Sequence, residues 1–293
     1  MPLVAIIIPT YNHAAFLRGA LDSILAQSFE DWEAIIVNNF SEDDTIEIVR
    51  SYTDPRIHLV NFRNQGVIAA ARNYGLKLTK APFIAFLDSD DFWYPRKLEQ
   101  CIAKLAQGYD LVCHAEVWAG PGEKRRTVRY GPESRAQYES LLLNGNCIST
   151  SAVVVRRARL DSVGAFDTDP RIVTAEDYEL WLKLASSGAK MGFIDDVLGE
   201  YLIHSGNQSG AVLRNMQAVW NVFRIHRVSL EGQTSSSRFR RREAMILYEG
   251  ARGLQDLRQH LQAWPYFFRA LRRFPWVLRF YLAMALNALG RRP

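Results

Sequence analysis

The sequence predicts an α/β fold: a Rossmann-like, mostly parallel sheet with helices on both faces, followed by a helical extension. Three observations predict it. Between Val4 and Ile203, short apolar runs alternate with helically spaced ones, the order from which parallel sheets are built. Polar residues gather where those runs stop (Pro9-Thr10-Tyr11, Asn38-Asn39, Asp88-Ser89-Asp90), and open α/β sheets bind ligands at the carboxyl ends of their strands. The charge balance then shifts. Residues 1–213 carry 21 Lys and Arg against 27 Asp and Glu, whereas residues 214–293 carry 15 Arg, no Lys and 4 acids. That shift divides the chain into a domain over 1–210 and a basic extension over 211–293.

VAIIIPT (4–10) is the first buried strand, and Phe16, Leu17, Ala20, Leu21, Ile24 and Leu25 then repeat at helical spacing. Strands follow at 33–39, 57–61, 83–88 and 110–118. Helices are expected at 44–52, at 68–79 and from Pro95, a favoured first-turn residue, to Gln107. Residues 119–135 are polar, include Glu123-Lys-Arg-Arg, and read as a mobile loop. CISTSAVVVR (147–156) reads as a strand, 157–163 and 176–187 as helices, 190–194 and 197–203 as strands. The extension reads as helices at 213–228, 238–262 and 265–289, interrupted by the Ser-rich 234–237.

The chain is 48% hydrophobic and 23% charged, ordinary for a soluble protein. Cys101, Cys113 and Cys147 are few, odd in number and without metal-finger spacing, which fits a reducing compartment. VAIIIPT follows Met1 without a basic flank and is too short for a secretory core. No window reaches the ~20 apolar residues of a spanning helix. The expected location is the cytoplasm, with peripheral attachment to the inner face of the membrane. The chain has no GxxxxGK[ST], GxGxxG, GxSxG or HExxH. No known nucleic-acid module accompanies the basic tail, so no nucleic-acid partner is expected.

The stretch FIAFLDSDDFW (83–93) places three carboxylates in four positions. Their mutual repulsion calls for a positive partner. Asp88 and Asp90, two apart, point to one side of an extended chain and suit a hard cation, Mn²⁺ or Mg²⁺, able to bridge a diphosphate. A solvated acidic turn, or Asp91 capping the next helix, explains the same residues. Glu176-Asp177 opens EDYELWLKL; acids in a first turn complement the helix dipole, and a positioned carboxylate there is also a general base for a hydroxyl. His204 reads as a plain polar residue, a metal ligand or a phosphate donor. Without a phosphate loop, phosphate binding falls to the metal and to basic side chains such as Arg72. Asn207-Gln208-Ser209 fits a glycosylation pattern that the expected location sets aside.

As a set, VAIIIPTYNHAAFLRGALDSILAQS, NQGVIAAARNYGLKLTKAPFIAFLDSDDFWYPRKLE, STSAVVVRRARLDSVGAFD, AEDYELWLKLA and YLIHSGNQS strongly resemble the family 2 glycosyltransferases, over residues 3–210. The resemblance implies a GT-A fold, a nucleotide-sugar donor and an inverting, metal-dependent transfer to a saccharide or lipid-linked acceptor in cell-envelope polysaccharide or glycolipid synthesis. It implies that Pro9, Thr10 and Tyr11 line the nucleoside pocket and that Arg72 and Ser89 lie near the nucleotide. Asp88 and Asp90 would hold the metal, with His204 facing it or the diphosphate. Asp177, beside Glu176, would deprotonate the acceptor. Gly164, Phe166 and Asp167 match a GxFD turn that shapes the acceptor side. The chain departs from the family at Asn38-Asn39-Phe40-Ser41, where relatives read DDGS or DNGS. An asparagine oxygen still accepts a bond from a uracil N–H, more weakly than a carboxylate, and UDP stays the first choice. Phe40 in place of Gly argues against a positive-φ turn. Two other classes remain: an inactive scaffold that keeps the fold as a binding module, and a sugar-phosphate nucleotidyltransferase, whose Gly- and Arg-rich loop this chain replaces with TYNHAAF.

The tail segment FPWVLRFYLAMALNALG is flanked by Arg269, Arg272, Arg273, Arg291 and Arg292. It suits an interfacial helix on an anionic membrane and equally a helical hairpin folded onto the first domain or onto a second subunit. The oligomeric state is open.

Overall fold

The computed structural model describes residues 1–120, 124–204, 206 and 211–290. Glu123, the Asn207-Gln208-Ser209 pattern, the expected boundary at 210, Arg291 and Arg292 lie outside the described residues.

One nine-stranded sheet organises the molecule, in the order β3-β2-β1-β4-β8-β6-β9-β5, with β7 on β6. Strands β1 (Val4–Thr10), β2 (Trp32–Asn38), β3 (Ile57–Asn61) and β4 (Phe83–Phe86) form a parallel set. Here β8 (Val153–Arg156) pairs antiparallel with both β4 and β6 (Leu111–Ala119), and β9 (Met191–Leu202) is parallel to β6. Two short strands, β5 (Phe92–Trp93) on β9 and β7 (Arg126–Val128) on β6, also run antiparallel. The sheet is therefore mixed, and its central strands are buried on both faces, as their continuous apolar runs require. In β1, Ala5 and Ile7 face one core while Val4, Ile6 and Ile8 face the other.

Helices α1 (Ala14–Leu25), α2 (Thr45–Arg50) and α4 (Lys97–Leu105) cover the second of these faces. The first is covered by α3 (Ile68–Leu78), α5 (Tyr138–Asn144), α6 (Arg157–Val163) and α7 (Glu176–Ser186). Gly75 lets α3 approach β1: an added Cβ would lie 2.7 Å from an Ile7 methyl. Of the extension, α8 (Val212–Arg227) and α9 (Ser236–Asp256) join the same core through Ala218, Val222, Phe223, Phe239 and Ile246. Helices α10 (His260–Arg273) and α11 (Leu278–Ala288) pack on α9 through two smaller clusters.

Several expectations need correction. The strand expected at 147–156 is only Val153–Arg156, because Thr150 and Ser151 bond to side chains outside any ladder. Residues 119–135 contain β7 and a short 3-10 turn, Glu133–Arg135, and α5 was not foreseen. The strands expected at 190–194 and 197–203 are one, with Asp195 and Asp196 bulging between the Ile194 and Val197 pairings. Helix α4 begins at Lys97, so Pro95 precedes it. The last two expected helices are three, broken at Arg258 (φ +59) and before Pro275, with Pro265 inside α10. Phe40 does adopt a positive φ, +59, despite its side chain.

Lys97 is fully buried, its ammonium 3.3 Å from the centroid of the Trp93 ring and 3.2 Å from the Val153 carbonyl oxygen. Burial pushes its pKa from 10.5 down to about 7. The unfolded chain holds this proton more tightly, so the cost of burial is complete below pH 7 and fades as pH rises toward 10.5. Lys97→Met is expected to stabilise the fold by about 2 kcal/mol near pH 6.5 and by much less near pH 9.5. Urea melts at the two pH values check this; equal gains at both would refute the account.

Candidate active site

A cavity of about 920 Å³ opens at the carboxyl ends of β1, β2 and β4. Pro9, Thr10, Tyr11, Asn39, Arg72, Asp88, Ser89, Asp90, Glu176 and Asp177 all line it. These are ten of the residues expected from sequence, brought from five separate segments. Asn38, His204, Gly164, Phe166 and Asp167 are not among the lining residues.

The acidic segment is a turn, closed by the Asp91 N–H donating to the Asp88 carbonyl at 3.0 Å. Strand alternation therefore does not align Asp88 with Asp90, and each carboxylate has its own partner. Arg72, on α3 and 3% exposed, donates to Asp88 Oδ1 at 2.7 Å and to Glu176 Oε1 at 3.0 Å. It ties the end of β4 to the start of α7. Asp90 Oδ2 is 2.9 Å from His204 Nε2, and the His204 ring stacks on Phe16 at 4.4 Å. Asp91 is not a helix cap. It is buried, and accepts from Ser151 Oγ at 2.6 Å and from the Leu202 N–H at 3.0 Å. Burial, and then the charges of Asp90, Glu116 and Asp88, push its pKa well above the usual range.

Helix α7 opens with Glu176 and Asp177 after Thr174, a β-branched residue held at φ +86. Such a conformation is rare and costs of order 1–3 kcal/mol. The Thr174 N–H donates to Glu176 Oε2 at 2.8 Å. Asp177 accepts from the Thr150 hydroxyl at 3.1 Å and from the Tyr178 N–H at 2.6 Å. Burial, and then the adjacent Glu176, raise its pKa to about 6, against the pull of Arg72 and the two hydrogen bonds. At neutral pH it is an ionised carboxylate of raised basicity, the property of a general base.

On the opposite side, Asn38 is fully buried and bonds to Asn61, to Ser41 Oγ and to the Ser41 N–H. Asn39 Oδ1 accepts from the Asn64 N–H at 2.9 Å. That backbone donor fixes the amide orientation and leaves the Asn39 NH₂ as its group for a ligand. Phe166 is buried under Arg72, whose guanidinium carbon lies 5.4 Å from the ring centroid. Gly164 caps α6 in the left-handed region, and Asp167 accepts from the Asp169 N–H. Sequence reasoning missed Thr150, Ser151, His13 (Nδ1 2.8 Å from Ser89 Oγ) and the wall of Trp118, Tyr130 and Tyr201. A cluster of hydroxyl residues in CISTS was the one available signal.

Among the described residues no three His, Cys, Asp or Glu side chains converge as a metal-holding group. Asp90 and His204 offer one oxygen and one nitrogen at a shared point, with Asp88 nearby in the same turn. Mg²⁺ and Mn²⁺ are commonly held by one or two carboxylates together with substrate phosphates, so this donor set fits such an ion when a diphosphate completes the shell.

The sequence model described as Glycosyl transferase family 2 matches residues 5–163. TuaG of Bacillus subtilis, named as a glycosyltransferase of teichuronic acid biosynthesis, is 30% identical over 233 residues, 76% of this chain and 88% of its own. The Escherichia coli UDP-Glc:alpha-D-GlcNAc-diphosphoundecaprenol beta-1,3-glucosyltransferase WfaP is 30% identical over 226 residues, 76% of this chain and 86% of its own. Among solved structures, S. aureus TarS 1-349 in complex with UDP-GlcNAc superposes with a TM-score of 0.66 at 19% identity, covering 99% of this chain and 89% of that one. The mannosyltransferase PcManGT from Pyrobaculum calidifontis, in complex with GDP-Man and Mn²⁺, superposes with 0.64 at 21% identity, covering 98% and 80%. The fold is that of the GT-A glycosyltransferases.

Proposed function

The chain belongs to glycosyl transferase family 2, and from that premise we propose that it transfers a sugar, with inversion, from a nucleoside-diphosphate sugar to a hydroxyl of a saccharide or lipid-linked acceptor in cell-envelope synthesis. The observation that carries this reading is Arg72, which joins the diphosphate side of the cleft (Asp88) to the acceptor side (Glu176, next to Asp177) through one buried guanidinium.

Thr10 and Tyr11 flank the nucleoside, and Asn39 donates its NH₂ to a carbonyl oxygen of the base. UDP remains the favoured nucleotide. Asp88, Asp90 and His204 would hold Mn²⁺ or Mg²⁺, which when bound supplies positive charge to the departing diphosphate. Arg72 holds Asp88 in place beneath that diphosphate. Asp177 takes the proton of the acceptor hydroxyl, whose oxygen attacks the anomeric carbon as the bond to the diphosphate breaks. One displacement inverts the configuration and needs no protein nucleophile. The Thr150 and Tyr178 bonds fix the Asp177 carboxylate, and the Trp118–Tyr201 wall bounds the space where an acceptor sugar would lie. The relatives' names support a lipid-diphosphate or polymer acceptor.

Calorimetry with UDP, GDP, TDP and CMP, with and without Mn²⁺, tests the donor side. One diphosphate is expected to bind at least tenfold more tightly with Mn²⁺. Asp90→Ala is expected to lose that gain and keep the metal-free binding. Transfer from the matching sugar nucleotide to a diphosphate-lipid-linked GlcNAc acceptor, with the product anomer read by NMR, tests the rest. Folded protein that binds no diphosphate would overturn the proposal in favour of a scaffold.

A further inference from the structure

One apolar face of the C-terminal helices has no partner within the described residues. On α11, Phe280, Ala283 and Asn287 are buried toward the rest of the fold. Leu278, Tyr281, Leu282 and Leu289 fall at i, i+3, i+4 and i+11, a single stripe along the helix. They are exposed by 74, 48, 59 and 67%. Trp276, two residues before the helix, is 85% exposed. A helix apolar on both sides with only one side covered is not explained by the fold of this chain.

The charge carried by this segment itself has one sign. From residue 257 to the end the sequence holds seven arginines and no Lys, Asp or Glu. Arg269 and Arg272, on α10, are exposed. Arg279, next to Leu278, is exposed as well, with its guanidinium carbon 5.4 Å from the Tyr248 ring centroid.

We propose that this face docks on an anionic lipid bilayer, with α11 in the plane of the interface, Trp276 and the leucine stripe among the acyl chains, and the arginines at the phosphates. Charge decides between a bilayer and a second copy of the chain. A two-fold contact through α11 would bring the arginines of two copies of this segment together, whereas an anionic bilayer brings the opposite sign. Among the described residues no helix is long and apolar enough to cross a membrane, so the contact is peripheral. A lipid-linked acceptor would share this surface. The test measures lipid binding and not sugar transfer, so the two proposals fail separately.

The full chain is co-sedimented with vesicles of phosphatidylcholine alone or mixed equally with phosphatidylglycerol. Strong partition to the anionic vesicles and weak partition to the neutral ones is expected, falling as salt rises. Trp276→Ser with Leu282→Gln should lower partition at least tenfold, and Arg272→Gln about fivefold. All three sites are exposed, so the melting temperature should hold. Two results overturn the proposal. One is partition that ignores both lipid charge and these substitutions. The other is a concentration-dependent dimer in light scattering that Trp276→Ser with Leu282→Gln dissolves, which would make a second copy the occupant.

Discussion

Asp177→Asn is expected to lower kcat about a thousandfold while leaving diphosphate binding near the wild-type value. The amide keeps the size: its oxygen can still accept the Tyr178 N–H, and its NH₂, standing where the second oxygen was, can donate to a rotated Thr150 hydroxyl, but it cannot take a proton. In the wild type, kcat/KM should fall about tenfold per pH unit below the raised pKa of about 6. The same shift makes a stability statement. A carboxyl whose folded pKa lies above its ordinary 3.8 ionises less readily in the fold. Its cost is absent below the unfolded value and grows to its full size as pH rises through 6. Asp177→Asn should therefore be more stable than wild type near pH 7.5, by roughly 2 kcal/mol. A variant that loses activity and also melts earlier would instead mark Asp177 as structural. Parallel measurement of turnover, nucleotide titration and urea melting separates the cases.

Arg72→Leu is expected to cost the most stability, about 3–5 kcal/mol near pH 8. Arg72 pairs with Asp88 and Glu176 while almost fully buried, and Glu176 is 5% exposed. Removing the guanidinium strands the Glu176 carboxylate in a low-dielectric site, with the Thr174 N–H as its remaining donor there. Arg72→Leu with Glu176→Gln should recover a large part of it, giving a coupling of 0.5–3 kcal/mol or so in a double-mutant cycle. Additive losses from the two single substitutions would show that the pair is not coupled and that the bridge across the cleft is incidental.

The parts of this fold legible in the sequence are those written in local pattern. Strands β1, β2 and β4 are apolar on both faces, and all of β1 to β4 could be placed to within a few residues. Helices α1, α3 and α7 carry clear periodicity. Arg72, Asp88, Asp90, Glu176 and Asp177 were visible as a set because their types and order match a family. Their pairing was not visible. The three crowded carboxylates suggested an absent cation, yet Arg72 and His204 are near partners and Asp91 is buried on Ser151 and Leu202. All but Arg72 lie 60 or more positions away, and nothing local signals them. CISTS reads as the start of a strand because it runs directly into the apolar AVVV; tertiary bonds from Thr150 to Asp177 and from Ser151 to Asp91 hold the segment out of the ladder. Phe40 carries no signature of positive φ. There the hydrogen bonds of Asn38 to Ser41 set the backbone, and side-chain preference yields.

The contacts that close the cleft have a consequence for the order in which the molecule comes into being. Arg72 meets Glu176 across 104 positions, Asp91 meets Leu202 across 111, and Asp90 meets His204 across 114. Pairings this remote pay their loop-closure entropy before any contact rewards it, and they form late. As the chain leaves the ribosome, β1 to β4 and their helices can assemble while the acidic turn still waits in solvent for α7 and β9. The cleft is thus closed after the parallel sheet, and a chain interrupted before Glu176 would hold that sheet with neither the Arg72 bridge nor Asp177.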